Sequence, residues 1–253
     1  MNFDKEVMGI AILRGKMYII FNNSPVVHVF DADCLENDMS EEILIPAMEW
    51  PHAIVASSKG EKLYIADMQN SEAGSVWDLS SDGDFRKYLP SSQEPERLWP
   101  RSLAAANGHL LVVSFHPNLL LMYAVGGRRV CRLELPRDMQ VEHAVATDRN
   151  TFLVGLSRAE NTLVLLRELA FDGNEVRRCS VEFTMPVHLA LHPTGDVLVA
   201  DRSDDKVVAL DNQLNLKRVL LHRERELSEP RRLLMQPEQL IVCGLKKLVS
   251  YAV

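Results

Sequence analysis

Residues 185–211 read MPVHLALHPTGDVLVADRSDDKVVALD, which is three short apolar runs separated by polar turns. The runs lie at 187–191, 196–201 and 206–210 and are rich in valine and leucine. Apolar runs of five or six residues with turn residues between them are typical of consecutive antiparallel strands. We therefore interpret this stretch as three strands of one small sheet.

The same pattern recurs along the whole chain. In each copy an apolar strand is followed by a turn, a second apolar strand, a polar loop and a third strand, and a more polar fourth strand such as RVCRLEL (129–135) ends the unit. The residues that begin the copies are Met8, His52, Arg101, Glu142, Val187 and Arg231. Four strands per unit of about 44 residues are the pattern of a β-propeller blade. The sequence predicts an all-β, six-bladed β-propeller with blades starting near 8, 52, 101, 142, 187 and 231.

The sixth repeat has room for only three strands between Arg231 and Val253. The segment NFDKEV (2–7) precedes the first strand and could supply the missing one. Such pairing would close the ring and remove two open sheet edges. We expect residues 1–253 to form a single propeller domain in which the N-terminal strand completes the last blade.

Blade five carries the most specific motif. Its second strand ends in Ala-Asp at Asp201, and WPHAIVASSKGEKLYIADMQN (50–70) repeats this order with Asp67. At these residues the chain resembles the NHL-repeat family of β-propellers, in particular the propellers of tripartite-motif proteins and, more weakly, the lyase that completes peptide amidation. The resemblance implies an NHL-type propeller that binds RNA or protein on one face or, in the lyase, uses zinc.

Composition excludes several other classes of protein. The net charge of −7 offers no uniformly basic face for DNA, and no apolar run approaches the length of a membrane span. The start, MNFDKEVMGI, lacks the basic and apolar regions of a signal peptide, and the four cysteines form no CxxC pair. We expect a cytoplasmic monomer with reduced thiols and with no membrane or DNA partner.

The starts of the first strands should surround one mouth of the propeller channel. The polar residues placed there as candidate ligand-binding residues are His52, Arg101, His143, His188, Arg231 and Arg232. Arginines bind acidic groups by paired hydrogen bonds, and histidines titrate near neutral pH. We therefore predict a non-catalytic interaction module that recognises a protein, a peptide or a small ligand at this mouth, without a cofactor.

One alternative is a metal-dependent lyase or hydrolase with a histidine-lined channel. Three histidines suit zinc, but His52 falls one position earlier in its strand than His143 and His188 do in theirs. Alternating strand geometry then directs His52 away from the other two. We expect neither a metal site nor catalytic residues.

The other alternative is a single-stranded RNA-binding NHL domain. Additional arginines on turns and outer strands favour it, namely Arg128, Arg129, Arg132, Arg177 and Arg178. The mouth positions lack aromatic residues for stacking on bases, and the first two blades are acidic, which favours a protein or peptide over RNA. The longer loops 91–100 and 222–232 are candidate contact loops.

Overall fold

The computed structural model describes residues 1–253 except 33–40, 58, 70–72, 90–96, 125, 148, 150, 159–162, 171, 185–186, 223–228, 237 and 253. The described residues form 24 β-strands in six antiparallel sheets and contain no α-helix. A helix long and apolar enough to cross a membrane is accordingly absent from this part of the chain. The predicted all-β, six-bladed β-propeller is confirmed.

The strands belong to two compact units, of which the first is Lys5–Leu135. It contains three four-stranded sheets whose strands are neighbours in chain order. Sheet 1 comprises β1 (Val7–Leu13), β2 (Lys16–Phe21), β3 (Val26–Asp31) and β4 (Glu41–Leu44). Sheet 2 comprises β5 (Pro51–Ala56), β6 (Lys62–Asp67), β7 (Ser75–Ser80) and β8 (Phe85–Leu89). Sheet 3 comprises β9 (Pro100–Ala106), β10 (His109–Ser114), β11 (Leu119–Ala124) and β12 (Arg129–Glu134).

The second unit is Met1–Asp4 together with Pro136–Val253. Sheet 4 comprises β13 (Met139–Ala146), β14 (Thr151–Arg158), β15 (Leu163–Ala170), β16 (Glu175–Arg178) and the short β17 (Phe183–Thr184), which also pairs with β15. Sheet 5 comprises β18 (Val187–Leu191), β19 (Val197–Asp201), β20 (Lys206–Leu210) and β21 (Leu216–His222). Sheet 6 comprises β22 (Arg232–Met235), β23 (Gln239–Cys243) and β24 (Leu248–Ala252).

The N-terminal residues lie beside sheet 6, as the three-strand count predicted. The Phe3 amide donates to the Lys246 carbonyl at 2.7 Å, and the Leu248 amide donates to the Met1 carbonyl at 2.9 Å. The pairing is shorter than the predicted segment 2–7, because Val7 already belongs to β1. Residues 1–3 therefore complete sheet 6 with a single antiparallel bridge.

The second strands of the sheets are the most deeply buried. Ile19, Val112 and Val199 are completely inaccessible to solvent, as expected for strands that are covered on both faces by side chains of their own unit. Within Lys5–Leu135, apolar clusters join sheet 1 to sheet 2 and sheet 2 to sheet 3. Within the other unit, clusters join sheet 4 to sheet 5 and sheet 5 to sheet 6. The fourth strands are the exposed ones, and leucine and valine side chains on them are about half accessible.

A buried polar side chain at the end of a second strand fixes the segment that enters the same sheet. The Trp50 amide donates to Asp67 Oδ1 at 2.7 Å, and the Thr184 amide donates to Asp201 Oδ2 at 3.1 Å. In sheet 3 the hydroxyl of Ser114 accepts the equivalent bond from the amide of Trp99. In sheets 2, 3 and 5 these bonds set where the first strand begins, and hence where His52, Arg101 and His188 lie.

Candidate functional site

The first strands of sheets 4 and 5 bring two imidazoles into contact. His143 lies on β13 and His188 on β18, and their ring centroids are 3.7 Å apart with an angle of 34° between the planes. Both residues are half-buried. The two histidines therefore form a stacked pair, which we call the imidazole pair.

Each imidazole accepts a hydrogen bond from the backbone of the following sheet. The Leu189 amide donates to His143 Nδ1 at 3.2 Å, and the Leu233 amide donates to His188 Nδ1, also at 3.2 Å. A neutral imidazole whose Nδ1 accepts a hydrogen bond carries its proton on Nε2. The imidazole pair therefore presents two Nε2–H donors.

The environment keeps both rings neutral. Burial lowers the pKa of His143 to about 3, and the nearby Arg232 guanidinium lowers it in the same direction. Burial is also the main cause that lowers the pKa of His188 well below its ordinary value, followed by His143 and Arg232. The suggestion that these histidines titrate near neutral pH is therefore wrong for His143 and His188, because a desolvated ring beside a guanidinium resists protonation.

The two adjacent arginines of sheet 6 differ in their contacts. Arg231 Nη2 donates to Glu229 Oε2 at 2.9 Å, and Arg202 Nη2 reaches the same oxygen at 2.9 Å. Hydrogen bonding from Arg231 is the largest of the effects that lower the pKa of Glu229. Arg232 Nη1 donates to the Arg231 carbonyl at 2.8 Å and acts electrostatically on both members of the imidazole pair. Arg232, rather than Arg231, is therefore the arginine whose charge acts on the imidazole pair.

His52 and Arg101 belong to the unit Lys5–Leu135. The hydrogen bonding of His52 differs from that of the imidazole pair. His52 Nδ1 lies 3.2 Å from the Arg101 carbonyl oxygen, to which it donates. His52 Nδ1 therefore carries a proton, whereas Nδ1 of each ring in the imidazole pair is an acceptor. The Arg101 guanidinium lies 5.6 Å from the ring centroid of Phe115.

The histidines also differ in their position relative to a β-bulge. The pairing of the first strand with the second skips Met8, His52, Arg101 and Glu142 in sheets 1 to 4. A bulge redirects the side chain of the extra residue. His143 comes one residue after the bulge of its own strand, whereas His52 is the bulged residue. The bulged Glu142 is buried, and its carboxylate accepts a hydrogen bond from Ser157 Oγ at 2.9 Å.

The chemistry of the imidazole pair suits an acceptor-bearing ligand better than a metal ion. A metal would need the lone pair of Nε2, but in both rings Nε2 carries the proton. Among the described residues no three histidine, cysteine, aspartate or glutamate side chains form a cluster that could hold a metal. Burial raises the pKa of the nearby Cys243 to about 12, so this cysteine is a thiol and not a thiolate.

The six predicted residues thus fall into two groups. His143, His188, Arg231 and Arg232 lie in the unit that contains sheets 4 to 6, and His52 and Arg101 lie in the unit that contains sheets 1 to 3. Glu229, which accepts a hydrogen bond from Arg231, was not predicted from the sequence. An acidic residue two positions before an arginine could have indicated this pairing. Of the candidate contact loops, residues 91–96 and 223–228 lie outside the described residues.

No protein-family model matches the chain, and no curated protein matches it in sequence. Its fold resembles that of a virginiamycin B lyase from Staphylococcus aureus, with a TM-score of 0.65 and 12% identity over 100% of this chain and 87% of that one. It also resembles the WD40 β-propeller domain of Doa1, with a TM-score of 0.63 and 13% identity over 99% and 93% of the two chains. For an auxiliary nutrient binding protein from Bacteroides thetaiotaomicron the TM-score is 0.71 with 10% identity, over 98% and 70%. At such identities the likeness shows the fold alone: the chain is a β-propeller protein.

Proposed function

We propose that this protein is a non-catalytic interaction module that binds a carboxylate-bearing protein, peptide or small ligand at the imidazole pair and Arg232. The observation that carries this proposal is that the pair presents only donors. Two Nε2–H groups and a guanidinium match the lone pairs of a carboxylate, and the positive charge favours an anion over a neutral acceptor.

The contacts of the outer-strand arginines favour an acidic protein or peptide over RNA. Arg132 is paired with Glu134, Arg177 with Glu168, and Arg178 with Glu175. A cation already held by a carboxylate of its own sheet contributes less to the binding of phosphates than an unpaired cation does. RNA binding at these strands would have to replace those ion pairs.

The NHL-type assignment and a cytoplasmic location belong to the same proposal. The roles of Asp67 and Asp201, which fix the entry of their sheets, support a common repeat motif. Cys131, Cys179 and Cys243 are free thiols, which agrees with a reducing compartment, and Cys34 lies outside the described residues.

The test is a peptide array of matched pairs in which each glutamate-containing peptide has a glutamine counterpart. The wild-type protein should prefer the glutamate members, and Arg232→Gln should weaken that binding by about tenfold or more, because a charge-assisted hydrogen bond is lost. Arg218→Gln removes the same charge from an exposed position of β21 and serves as the control. Equal binding of both peptide series, or equal loss in the two variants, would refute the proposal.

A further inference from the structure

A second polar site lies at the opposite end of β5 from His52, between sheets 2 and 3. It is a small cavity of about 10 Å³ lined by Ser57, Lys59 and Glu61 between β5 and β6, by Tyr64, and by Ala105 and His109 of sheet 3. The strand rise of about 3.3 Å per residue places Ser57 roughly 16 Å from His52 along the strand. The cavity is therefore separate from the mouth residues of this unit.

The hydroxyl group of Tyr64 makes the cavity chemically specific. Tyr64 is only 2% exposed and lines the cavity, and its hydroxyl has no hydrogen-bond partner among the described residues. A buried hydroxyl without a partner is costly, so the few that occur in proteins need an explanation. Burial raises the pKa of Tyr64 to about 12, so the group is neutral and can donate its proton.

Charged side chains in and beside the cavity give it a net positive charge. Lys62 Nζ lies 5.3 Å from the ring centroid of Tyr64 and donates to Asp78 Oδ2 at 2.7 Å. Arg86 donates to the same oxygen at 3.1 Å, so one carboxylate is shared between two cations. Lys59 and Glu61 on the turn also line the cavity. Three cations against two carboxylates leave a surplus of one positive charge.

The equivalent position of sheet 1 lacks this arrangement. Lys16 and Tyr18 repeat the Lys-x-Tyr order of β6 on β2. Lys16 is about half exposed and pairs with Glu41 at 3.3 Å, and the hydroxyl of Tyr18 is not one of the buried atoms that lack a partner. Of these two equivalent tyrosines, only Tyr64 has a buried hydroxyl without a partner among the described residues.

We propose that this cavity, here called the Tyr64 pocket, binds one carboxylate group. Its volume is close to that needed by a single water molecule, so it can enclose one oxygen atom but not a whole ligand. A carboxylate oxygen would accept the proton of the Tyr64 hydroxyl, and the ammonium groups of Lys59 and Lys62 would balance its charge. The carboxylate comes either from an acidic side chain of a partner protein or from a small free acid. This proposal does not depend on binding at the imidazole pair.

The experiment is an amide NMR titration of the full ¹⁵N-labelled chain with three probes: sodium acetate, N-acetyl-glutamate amide and N-acetyl-glutamine amide. The two carboxylates should shift the amide resonances of residues 57, 59–62 and 105–109 saturably, and the glutamine compound should not. Tighter binding of the glutamate compound than of acetate would point to an acidic side chain of a partner, and equal binding would point to a small acid.

The variants Tyr64→Phe and Tyr18→Phe make the test specific. Tyr64→Phe keeps the ring and removes only the hydroxyl, and we expect it to weaken carboxylate binding about tenfold. Tyr18→Phe removes the equivalent hydroxyl of sheet 1 and should leave the affinity unchanged. Absence of a saturable shift, an equal response to the glutamine compound, or unchanged affinity in Tyr64→Phe would overturn the proposal.

Discussion

Asp67 and Asp201, the aspartates of the repeat motif, accept hydrogen bonds from the backbone that leads into the first strand of their sheets. Asp67 is completely buried and accepts hydrogen bonds from the amides of Glu49 and Trp50 and from the indole N–H of Trp77. Asp201 likewise accepts hydrogen bonds from the amides of Thr184 and Asp204. The aspartate of the motif is thus a structural residue that orders the entry to the first strand.

Loss of the Asp67 carboxylate should therefore destabilise the protein. Asp67→Ala leaves three N–H donors without their acceptor, and we expect the free energy of unfolding to fall by about 3 kcal/mol. Urea denaturation measures the change. Asp84→Ala removes an exposed carboxylate from the turn between β7 and β8 and should cost less than about 0.5 kcal/mol. Equal losses in the two variants would contradict the role given to Asp67.

Acid should weaken the fold through the imidazole pair. The pKa of His143 in the folded protein is lowered to about 3, and that of His188 is also lowered, whereas an unfolded histidine titrates near pH 6.5. The unfolded chain then binds more protons below pH 6.5, so the stability due to these rings is complete above pH 6.5 and declines as the pH falls towards 3.

The pH range from 6.5 to 5 isolates this effect, because most carboxylates remain ionised there. Urea midpoints should fall over this range in the wild type. His188→Gln should reduce the slope of stability against pH by up to about 1.4 kcal/mol per pH unit, a limit that is approached towards pH 5. His222→Gln, at an exposed position of β21, should keep the wild-type slope. A wild-type slope in His188→Gln would show that His188 is not held neutral.

At the scale of strands and sheets, the hydrophobic repeat was enough to predict most of the elements. The runs around 187–191, 196–201 and 206–210 became β18, β19 and β20, because strands covered on both faces must be apolar along their length. The bulges at His52 and Glu142 could not be predicted, because a bulge depends on pairing with the second strand and has no pattern in the first. The sequence therefore nominated these polar residues as candidates but did not predict their hydrogen-bond partners.

Close packing between sheets 2 and 3 leaves little room for a side chain at Gly74. A Cβ atom at Gly74 would lie 2.4 Å from Pro100 Cδ and 2.7 Å from the Asp67 carbonyl oxygen. Gly74→Ala should cost about 1–3 kcal/mol of stability through overpacking, measured by thermal or urea denaturation. Gly126→Ala is the matched control, because nothing lies within 4 Å of a Cβ atom there. If Gly74→Ala were as stable as Gly126→Ala, the packing described between these sheets would be wrong.

At the scale of the whole molecule, the six repeats predicted the number of sheets, and the count of strands predicted the role of the N-terminus. The number of repeats and strands did not predict the function. The solved structures with this fold include a lyase and a nutrient binding protein, so the β-propeller supports different activities on one scaffold. The site has to be identified from particular side chains, and for this the contacts of His143, His188 and Arg232 were needed.

The N-terminal pairing with sheet 6 should contribute measurably to stability. Phe3→Pro removes the amide that donates to the Lys246 carbonyl, and we expect a loss of about 1 kcal/mol, or a fall in Tm of about 2–4 °C. Asn2→Pro changes the neighbouring residue, whose amide is not the donor in either backbone hydrogen bond described between residues 1–3 and sheet 6, and should have a smaller effect. Identical melting curves for Phe3→Pro and the wild type would show that the bridge does not contribute.

The most direct test of the proposed binding site is a long-range ¹H–¹⁵N NMR spectrum of the histidine side chains, recorded at pH 7 with and without a glutamate-rich peptide. We predict the Nε2–H tautomer for His143 and His188, the Nδ1–H tautomer for His52, and peptide-dependent shifts of the Nε2–H groups of the imidazole pair. Those shifts should disappear in Arg232→Gln. An Nδ1–H tautomer at His143 or His188, or Nε2 resonances that do not shift when the peptide is added, would contradict the proposed binding site.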